Sequence, residues 1–269
     1  MLLVLLYNWV VKKDWEVPSF KKIEFKKRKT KYCLVIPVIN EGDKFKKQLQ
    51  KVKKYAKLVD IIIADGGSTD GSTDPKFLKN QGVTALLVKT GPGKLGAQYR
   101  MAYTFALKNG YRGVVQMDGN GKDGVEAISS FIKKLDEGFD YIQGSRYAKG
   151  GRAINTPLER EFANRYLFTP ILNLAAGKIY TDRSNGFRAH SRKLLLNSRL
   201  KLFRNVFSNY EILFYVTARA NRLGLRSVEI PVVRCYPPQG KTPTKIVGFR
   251  KKIDVLLMAI KAAMGYYNP

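Results

Sequence analysis

The segment VVQMDGNGKDGVEA, residues 114–127, joins a buried-strand pattern to a polar, glycine-rich continuation. An apolar run ends at Asp118, and glycines then alternate with Asn120 and Lys122. The run predicts a strand, and a carboxylate at its end suits Mg²⁺ or Mn²⁺, with the Asn120 carbonyl as a neutral ligand. The same residues also fit a polar glycine turn before a helix capped by Asp123.

Short apolar runs followed by helix-period segments recur along the chain. Further strands are predicted at residues 32–38, 59–64, 83–88, 139–144 and 227–233. Helical periodicity falls between the runs and again over 157–177. This alternation predicts an α/β fold with a mostly parallel, doubly wound sheet and helices on both faces. Ligands of such sheets bind beyond the carboxyl ends of the strands.

The composition indicates a folded and strongly basic protein. The 269 residues, 45% of them hydrophobic, can form one large α/β domain or two small ones. Lys and Arg number 49 against 21 Asp and Glu, a formal charge of +28. Such a surface favours nucleic acid, anionic lipid headgroups or phosphorylated substrates. Cys33 and Cys235 form no metal-site spacing or disulfide framework, which fits a reducing cytoplasmic compartment.

The two ends of the chain differ from its middle. The apolar start is shorter than the ~18 residues of a membrane span and lacks the features of a signal peptide. We expect a basic arm or membrane-contacting segment over 1–31, a folded domain over 32–247 and a C-terminal amphipathic helix over 248–269. The apolar face predicted for that helix contains Phe249, Ile253, Leu256, Leu257, Ile260 and Met264.

Polar residues follow the first three predicted strands. Asn40 and Glu41 come after Pro37 at the end of the first, and Asp65 ends the second. A carboxylate there can accept from a ribose hydroxyl or a base N–H, although the pattern also fits a turn with a capping Asp. After the third strand, Lys94 lies among glycines that could admit a phosphate, without the spacing of a P-loop.

Eight segments, taken in order over about residues 32–246, resemble family-2 glycosyltransferases and are similar to its dolichyl- or polyprenyl-phosphate sugar synthases. The segments are VIPVINEG, ADGGSTDGS, GKLGAQYRMAYTFA, QMDGNGKDGVEAI, IQGSRYAKGG, TDRSNGFRAH, NRLGLRSVEIPV and PTKI. The resemblance implies a glycosyltransferase A fold and a UDP- or GDP-linked sugar donor. It also implies a divalent cation at an Asp-x-Asp motif and inversion at the anomeric carbon.

The resemblance implies donor-binding roles for individual residues. Pro37, Asn40 and Glu41 match the first nucleotide loop of the family. Asp65 matches the first Asp of a base-contacting pair, whose second member is Gly66 here. These residues, with Lys94 and Asp118, are therefore expected at the nucleotide sugar.

The metal motif departs from the family pattern. Asp118 matches its first Asp, whereas Asn120 replaces the second, and Lys122 stands where many synthases have Gln. Asp118 and Asn120 are the expected ligands of Mg²⁺ or Mn²⁺. With one carboxylate fewer, the cation should bind less tightly unless the donor diphosphate supplies most ligands, with Asp123 in partial compensation.

Basic residues in the matching segments are expected to stabilise the charge of the departing diphosphate. They are Lys94, Arg146, Arg188, Arg234, Lys241 and Lys245. The resemblance implies that Arg146 is catalytic and helps to hold the phosphate of a lipid acceptor. Arg188, Arg234 and Lys245 are expected at the same phosphate.

The acceptor decides whether the reaction needs a general base. A lipid monophosphate, with a second pKa of about 6, is largely ionised at neutral pH. A hydroxyl of another membrane lipid or glycan must instead lose its proton to a base. Glu211 and Asp182 are the candidates for that role, although Asp182 could only brace its loop and Glu211 could pair with an arginine. His190 is interpreted as a packing residue.

The predicted function is transfer to a polyprenyl-phosphate-type lipid by a peripheral protein on the cytoplasmic face of an anionic membrane. Basic residues near such a surface contribute about 1 kcal/mol each to attachment. Nucleic acid is not expected as a partner, because the sequence has no aromatic-bearing RNA-binding motif or zinc spacing. Two alternatives remain: a non-catalytic scaffold with the same fold, because the metal motif is altered, and a basic nucleic-acid-binding protein, which the net charge favours.

Overall fold

The computed structural model describes residues 15–238 and 248–269. The strands of this part, in chain order, are β1 (Phe20–Glu24), β2 (Cys33–Val38), β3 (Asp60–Asp65), β4 (Ala85–Lys89), β5 (Gly113–Gln116), β6 (Tyr141–Ser145), β7 (Arg152–Ile154), β8 (Arg188–Ser191), β9 (Ser227–Pro231) and β10 (Val233–Cys235). Most coincide with the apolar runs, because a strand buried on both faces needs an uninterrupted apolar sequence.

Helices alternate with the strands. They are α1 (Gly42–Val52), α2 (Pro75–Asn80), α3 (Leu95–Lys108), α4 (Ile128–Asp136), α5 (Leu158–Phe162), α6 (Thr169–Ala176), α7 (Arg192–Leu195), α8 (Glu211–Arg219) and α9 (Phe249–Ala263). A π-helix over Ala163–Phe168 joins α5 to α6, which confirms the helical segment predicted at 157–177. Short 3₁₀ helices occur at Lys53–Tyr55, Val125–Ala127 and Asn221–Leu223.

Eight strands form one mixed sheet in the order β1-β4-β3-β2-β5-β8-β6-β9, and β7 pairs with β10 in a second, parallel sheet. The predicted parallel arrangement is confirmed for β2 to β5 and for β6 with β9. β1 and β8 run antiparallel to their neighbours. The sequence did not predict β8, because its residues, RAHS, form a strand only by pairing with β5 and β6 on both sides.

Alternating side chains of the central strands enter two separate cores. In β2, Cys33 and Val35 pack on the face covered by α3 and α8, whereas Leu34 and Ile36 pack on the face covered by α1 and α4. Successive residues of a strand point to opposite faces, so this run of buried residues fills both cores. The sheet is thereby fixed, with the carboxyl ends of β2 to β5 along one edge.

Residues 15–31 belong to the folded domain, which corrects the prediction of a basic arm ahead of Tyr32. Within them, β1 extends the sheet beside β4, and Trp15 stacks on Phe203 with ring centroids 3.9 Å apart. The lysine-rich composition was misleading because an outermost strand exposes most of its side chains to water. Residues 1–14 lie outside the described part of the chain.

Helix α9 lies within the segment 248–269 expected to form a C-terminal helix, but it buries a different face from the predicted one. Its buried side chains are the small Ala259 and Ala262, and it packs on α6 and α8. Small residues let two helices approach closely. Phe249 and Met264 of the predicted apolar face are 79% and 80% exposed. These two large side chains are therefore left on the surface, whereas Val255 and Met258 pack partly against the core.

Exposed apolar side chains are concentrated on α9 and on the segment from α5 to just past α6. The two are linked by Lys252, which lies 2.8 Å from Glu159. The side chains that we call the apolar surface are Leu158, Phe162, Tyr166, Leu174, Ile179, Phe249, Leu257 and Met264. Within residues 15–238 and 248–269, no helix is long and apolar enough to cross a membrane.

Candidate active site

The loop after β5 carries Asp118 at the carboxyl edge of the sheet. A Cβ on Gly119 would lie 2.8 Å from the Pro37 carbonyl oxygen, and one on Gly186 would lie 2.9 Å from Asp118 Oδ1. Close approach therefore requires glycine at both positions. Gln48 of α1 donates to the Asp118 carbonyl at 2.8 Å and accepts from an amide of the same loop at 3.0 Å. These contacts fix the position of the carboxylate.

A buried guanidinium, that of Arg234, joins Asp118 to Asp123. Its Nη2 lies 3.0 Å from Asp118 Oδ2, and its Nη1 lies 2.5 Å from Asp123 Oδ1. The side chains of Arg234 and Asp123 are 7% and 0% exposed, whereas that of Asp118 is 25% exposed. We call these three residues the Asp118 cluster, which opens to solvent at Asp118.

Backbone hydrogen bonds on both sides of Arg234 attach β10 to the loop. The Cys235 amide donates to the Lys122 carbonyl at 2.8 Å, and the Gly124 amide donates to the Val233 carbonyl at 2.8 Å. The contact with the loop is therefore built into the fold. Sequence reasoning placed Arg234 at the acceptor phosphate and did not connect it with the loop.

Charge and burial shift the pKa values of the cluster. Burial would raise the pKa of Asp118, but the charges of Arg234 and Lys122 lower it below its ordinary value. Burial raises the pKa of Asp123, and Arg234 opposes that shift. The two carboxylates outweigh burial and raise the pKa of Arg234 well above its ordinary value. Burial and the charge of Arg234 lower the pKa of Lys122 to about 7.

The side chains at the expected metal motif do not fit a divalent cation held by protein ligands. Asn120 Nδ2 donates to Asp118 Oδ2 at 3.3 Å, and Asn120 Oδ1 accepts from the Lys122 amide at 3.3 Å. The charge of Arg234, which contacts Asp118 Oδ2, repels a divalent cation at that carboxylate oxygen. Asp123 is held by the same guanidinium. Among the described residues, no three His, Cys, Asp or Glu side chains are grouped to hold a metal.

Two side chains that the sequence did not connect with this loop interact electrostatically with its charged groups. The charge of Arg160 on α5 adds to burial in lowering the pKa of Lys122. Burial, followed by the charge of Asp118, raises the pKa of Tyr210 to about 12. Neither residue carries a sequence signal, whereas Gln48 does, as a polar residue on the apolar face of α1.

The predicted nucleotide loops meet at the ends of β2 and β3. Asp65 accepts from the Ser68 hydroxyl at 2.7 Å and from the Thr73 hydroxyl at 3.1 Å. The Asn40 amide donates to Ser68 Oγ at 3.1 Å, and Asn40 Oδ1 accepts from the Thr69 amide at 2.8 Å. The two loops thus form one hydrogen-bonded unit. Contact between Asp65 and the base of a nucleotide stays a prediction.

The other expected donor residues lie at the same edge. Pro37 is buried in β2 opposite Ala64. Glu41 is half-buried and directly precedes α1. Lys94 is exposed before α3, and its amide donates to the Ser208 carbonyl at 2.8 Å. The structure therefore brings these residues to the edge that carries Asp118.

Arg146 and Asp182 form a closed ion pair at the end of β6. Nε and Nη2 of Arg146 lie 2.6 and 2.8 Å from the two oxygens of Asp182. Asp182 also accepts from the amides of Ser184 and Asn185 at 3.0 and 3.2 Å. The side chains of the pair are 3% and 0% exposed. The predicted role of Asp182 as a base requires this pair to open, whereas phosphate binding by Arg146 stays a prediction.

Arg188 and His190 are buried in β8. Arg188 is 0% exposed and donates to the carbonyls of Asn185 and Leu213 at 2.7 and 2.8 Å and to Thr217 Oγ1 at 2.8 Å. These contacts give Arg188 a structural role between β8 and α8, and its expected contact with an acceptor phosphate stays a prediction. Burial lowers the pKa of His190 to about 3, which agrees with its predicted packing role.

Glu211 begins α8, where it accepts a hydrogen bond from the Asn209 amide. Burial, followed by the charge of Glu211, raises the pKa of Tyr267 to about 12. The carboxylate is therefore engaged at the start of its own helix. Lys241 and Lys245, the last of the expected phosphate contacts, lie outside the described residues.

Comparison with known proteins identifies the family of this site. The family model described as Glycosyl transferase family 2 matches residues 33–197. The chain belongs to glycosyl transferase family 2. The match contains the two nucleotide loops and Asp118, whereas Arg234 lies beyond it.

Two relatives of this glycosyltransferase carry polyprenyl-type names. The chain is 29% identical over 202 residues to polyprenol monophosphomannose synthase of Mycolicibacterium smegmatis, covering 74% of this chain and 75% of that protein. It is 26% identical over 201 residues to undecaprenyl-phosphate mannosyltransferase of Micrococcus luteus, covering 74% and 81%. The resemblance to polyprenyl-phosphate sugar synthases is thereby confirmed.

Solved structures confirm the glycosyltransferase A fold. Glucosyl-3-phosphoglycerate synthase from Mycobacterium tuberculosis in complex with UDP has a TM-score of 0.57 at 14% identity, covering 88% of this chain and 79% of that one. The same enzyme with Mn²⁺, UDP and phosphoglyceric acid has a TM-score of 0.56 at 15% identity, covering 88% and 78%. At such identity the likeness shows the fold alone.

Proposed function

We propose that this family-2 glycosyltransferase transfers a sugar, with inversion, from a UDP- or GDP-linked donor to a polyprenyl phosphate at a membrane surface. One observation carries the proposal: the strand that pairs with Arg234 leads directly into α5 and the apolar surface. Arg234 is paired with Ala153 of β7, β7 is followed by α5, and Leu158 and Phe162 of α5 are 85% and 59% exposed. A lipid phosphate has the matching chemistry, with an anionic head and an apolar tail.

In the proposed reaction a phosphate oxygen of the acceptor attacks the anomeric carbon on the face opposite the donor diphosphate. A new carbon–oxygen bond forms while the bond to the diphosphate breaks, and the departing diphosphate takes the electron pair. The loops of Asn40 and Asp65 would hold the nucleoside, and side-chain cations would meet the charge that develops on the leaving group.

The state of the two candidate bases supports a phosphate acceptor. An ionised phosphate needs no proton removed, whereas a hydroxyl needs a general base within hydrogen-bond reach. Asp182 is enclosed with Arg146, and Glu211 is engaged by a backbone amide. Transfer to a hydroxyl is the less supported alternative, because Asp182 would have to be released from Arg146 and Glu211 already accepts a backbone amide.

The apolar surface and the formal charge of +28 support attachment to an anionic membrane. An interface of this kind needs apolar side chains to enter the headgroup region and basic residues to face the lipid phosphates. The expected location is the cytoplasmic face, where the nucleotide sugar is available. Mg²⁺ or Mn²⁺ stays a prediction from the resemblance, which the position of Arg234 does not favour.

A pair of acceptors tests the reaction. The full chain would be incubated with labelled UDP- and GDP-sugars and vesicles that contain either a polyprenyl phosphate or the corresponding polyprenol. We expect lipid-extractable label with the phosphate only. Label on the polyprenol would support the hydroxyl alternative, and no transfer from any donor would support the non-catalytic scaffold.

A matched pair of leucines tests the membrane surface. Leu174 belongs to the apolar surface and is 81% exposed, whereas Leu58 is 50% exposed before β3. Leu174→Ser should weaken binding to anionic vesicles about tenfold, because a leucine no longer enters the interface, and Leu58→Ser should not. Equal binding by both variants and the unmodified protein in a sedimentation assay would contradict this assignment.

A further inference from the structure

We infer that Arg234 provides the positive charge for the donor diphosphate at the position where the family pattern places a metal ion. The inference rests on the proposed function, because it concerns the donor of that reaction. It changes the expected role of Arg234 from the acceptor phosphate to the donor, and it predicts transfer that does not require a divalent cation.

The first support is geometric. Arg234 reaches the carboxylate that would ligate a metal, at 3.0 Å, and a second carboxylate, that of Asp123, at 2.5 Å. Backbone bonds on either side of Arg234 hold it there. A guanidinium has five N–H donors in a planar fork, so two carboxylate contacts leave it able to bind a diphosphate as well.

The second support is the departure at position 120. With Asn120, the two carboxylates of the cluster face the permanent cation of Arg234 and the basic side chain of Lys122 beside it. An Asp at 120 would add a third carboxylate to the same two basic groups, which would favour recruitment of a divalent ion. Asn120 and Arg234 thus complement each other, because the neutral amide avoids the third carboxylate that a divalent ion would be needed to balance.

The third support concerns the leaving group. A fixed cation that is 7% exposed does not have to reorganise as charge develops on the diphosphate, and this is what makes such groups effective. Lys122 adds a second basic side chain beside it, with Nζ 4.7 Å from the centre of the Tyr236 ring. Asp118, 25% exposed, marks the side from which the donor would enter.

The unmodified protein provides the first test. Binding of UDP, GDP, UMP and GMP would be measured by calorimetry in EDTA, in Mg²⁺ and in Mn²⁺, together with transfer to the polyprenyl phosphate. We expect the preferred diphosphate to bind in EDTA with a Kd within about threefold of its value in either metal, and more tightly than its monophosphate. A tenfold or greater loss of diphosphate binding in EDTA that Mn²⁺ restores would overturn the inference.

Variants provide the second test. Arg234→Gln should remove the preference for diphosphate over monophosphate, and Arg234→Lys, which keeps a charge in case the Gln variant does not fold, should reduce it. Asn120→Asp should make diphosphate binding respond to Mn²⁺. Arg226→Gln, which removes an exposed arginine before β9, should change neither property. An unchanged diphosphate preference in a folded Arg234→Lys variant and no Mn²⁺ response in Asn120→Asp would refute the role of Arg234.

The two proposals can fail separately. Metal-independent diphosphate binding without transfer to either lipid would leave Arg234 at the donor and reject the proposed acceptor. Transfer that stops in EDTA because the diphosphate no longer binds would keep the proposed function and reject the inference. A protein that binds none of the four nucleotides under any condition would reject both.

Discussion

Two buried arginine–aspartate clusters lie at the carboxyl edge of the sheet, and they differ in how completely they are satisfied. Asp182 accepts hydrogen bonds from Nε and Nη2 of Arg146 and from backbone amides. The side chains of Arg146 and Asp182 are 3% and 0% exposed. In the Asp118 cluster, one guanidinium serves two carboxylates, and Asp123 Oδ2 is buried without a hydrogen-bond partner.

The difference separates structure from function. A closed pair with every acceptor satisfied stabilises a loop, and breaking it leaves an unpaired buried charge. Arg234 is shared by two carboxylates, one of them the partly exposed Asp118, and can bind another anion while the fold is retained. Similar residue types at the same edge of one sheet therefore predict opposite consequences of substitution.

The largest contrast is expected from Asp118→Ala. We expect transfer to polyprenyl phosphate to become undetectable, because Arg234 loses one of the two carboxylates that position it for the donor diphosphate, while the fold persists because Arg234 keeps Asp123. Asp118→Asn should retain a weak remnant. Turnover assays and thermal unfolding would be run on the same preparations, and unchanged turnover in the Ala variant would place the reaction elsewhere.

Asp182→Ala tests the closed cluster. Removal of one partner of a buried ion pair costs about 3–5 kcal/mol, so the free energy of unfolding in urea should fall by that amount. Glu24→Ala removes the exposed partner of Lys22 and should cost less than about 1 kcal/mol. If Asp182→Ala unfolded no more easily than Glu24→Ala, the closed pair would not be a structural element.

His190 tests whether unsatisfied buried groups occur outside the Asp118 cluster. It lies in β8, and its Nε2 is buried without a hydrogen-bond partner. Its pKa falls from 6.5 to about 3 in the folded protein, so the unfolded chain binds one more proton between these values. Stability should therefore be full above pH 6.5 and fall by about 2 kcal/mol by pH 5. His190→Phe should abolish that slope in urea unfolding, and a slope that persists would assign it to other groups.

The smallest effect is expected from Glu211→Gln. Its carboxylate is engaged by a backbone amide, and a phosphate acceptor needs no base, so turnover should stay within about threefold. A collapse by about 100-fold would show that an engaged carboxylate can still be catalytic. It would also favour the hydroxyl acceptor over the phosphate.

Local patterns predicted much of this fold. The apolar runs identified β2 to β6, and the polar residues after them marked the edge where the candidate site lies. The antiparallel β8 and the membership of β1 were missed, because their strand conformation depends on neighbours that are distant in the chain. On α9 the large apolar residues suggested a buried face, whereas close helix packing selected Ala259 and Ala262.

The candidate site was predicted in its residues but not in its pairings. Asp118, Asn120 and Arg234 were all singled out, yet the contact that joins Asp118 to Arg234 spans 116 positions. Arg146 pairs with Asp182, and Arg234 pairs with Asp118, although separate roles were expected for the members of each pair. They pair because opposite charges attract strongly in a low-dielectric interior. Motif matching treats positions one at a time and so cannot supply such contacts.

The strand β1 bears on whether copies of this protein pair through their sheets. It is one of the two outermost strands of the described sheet, and its sequence, FKKIE, places adjacent lysines there. Pairing with the edge of another molecule would bring those charges together and strip them of water, which opposes aggregation. A protein with large apolar side chains on its surface thus carries protection against forming fibres through this edge of its sheet.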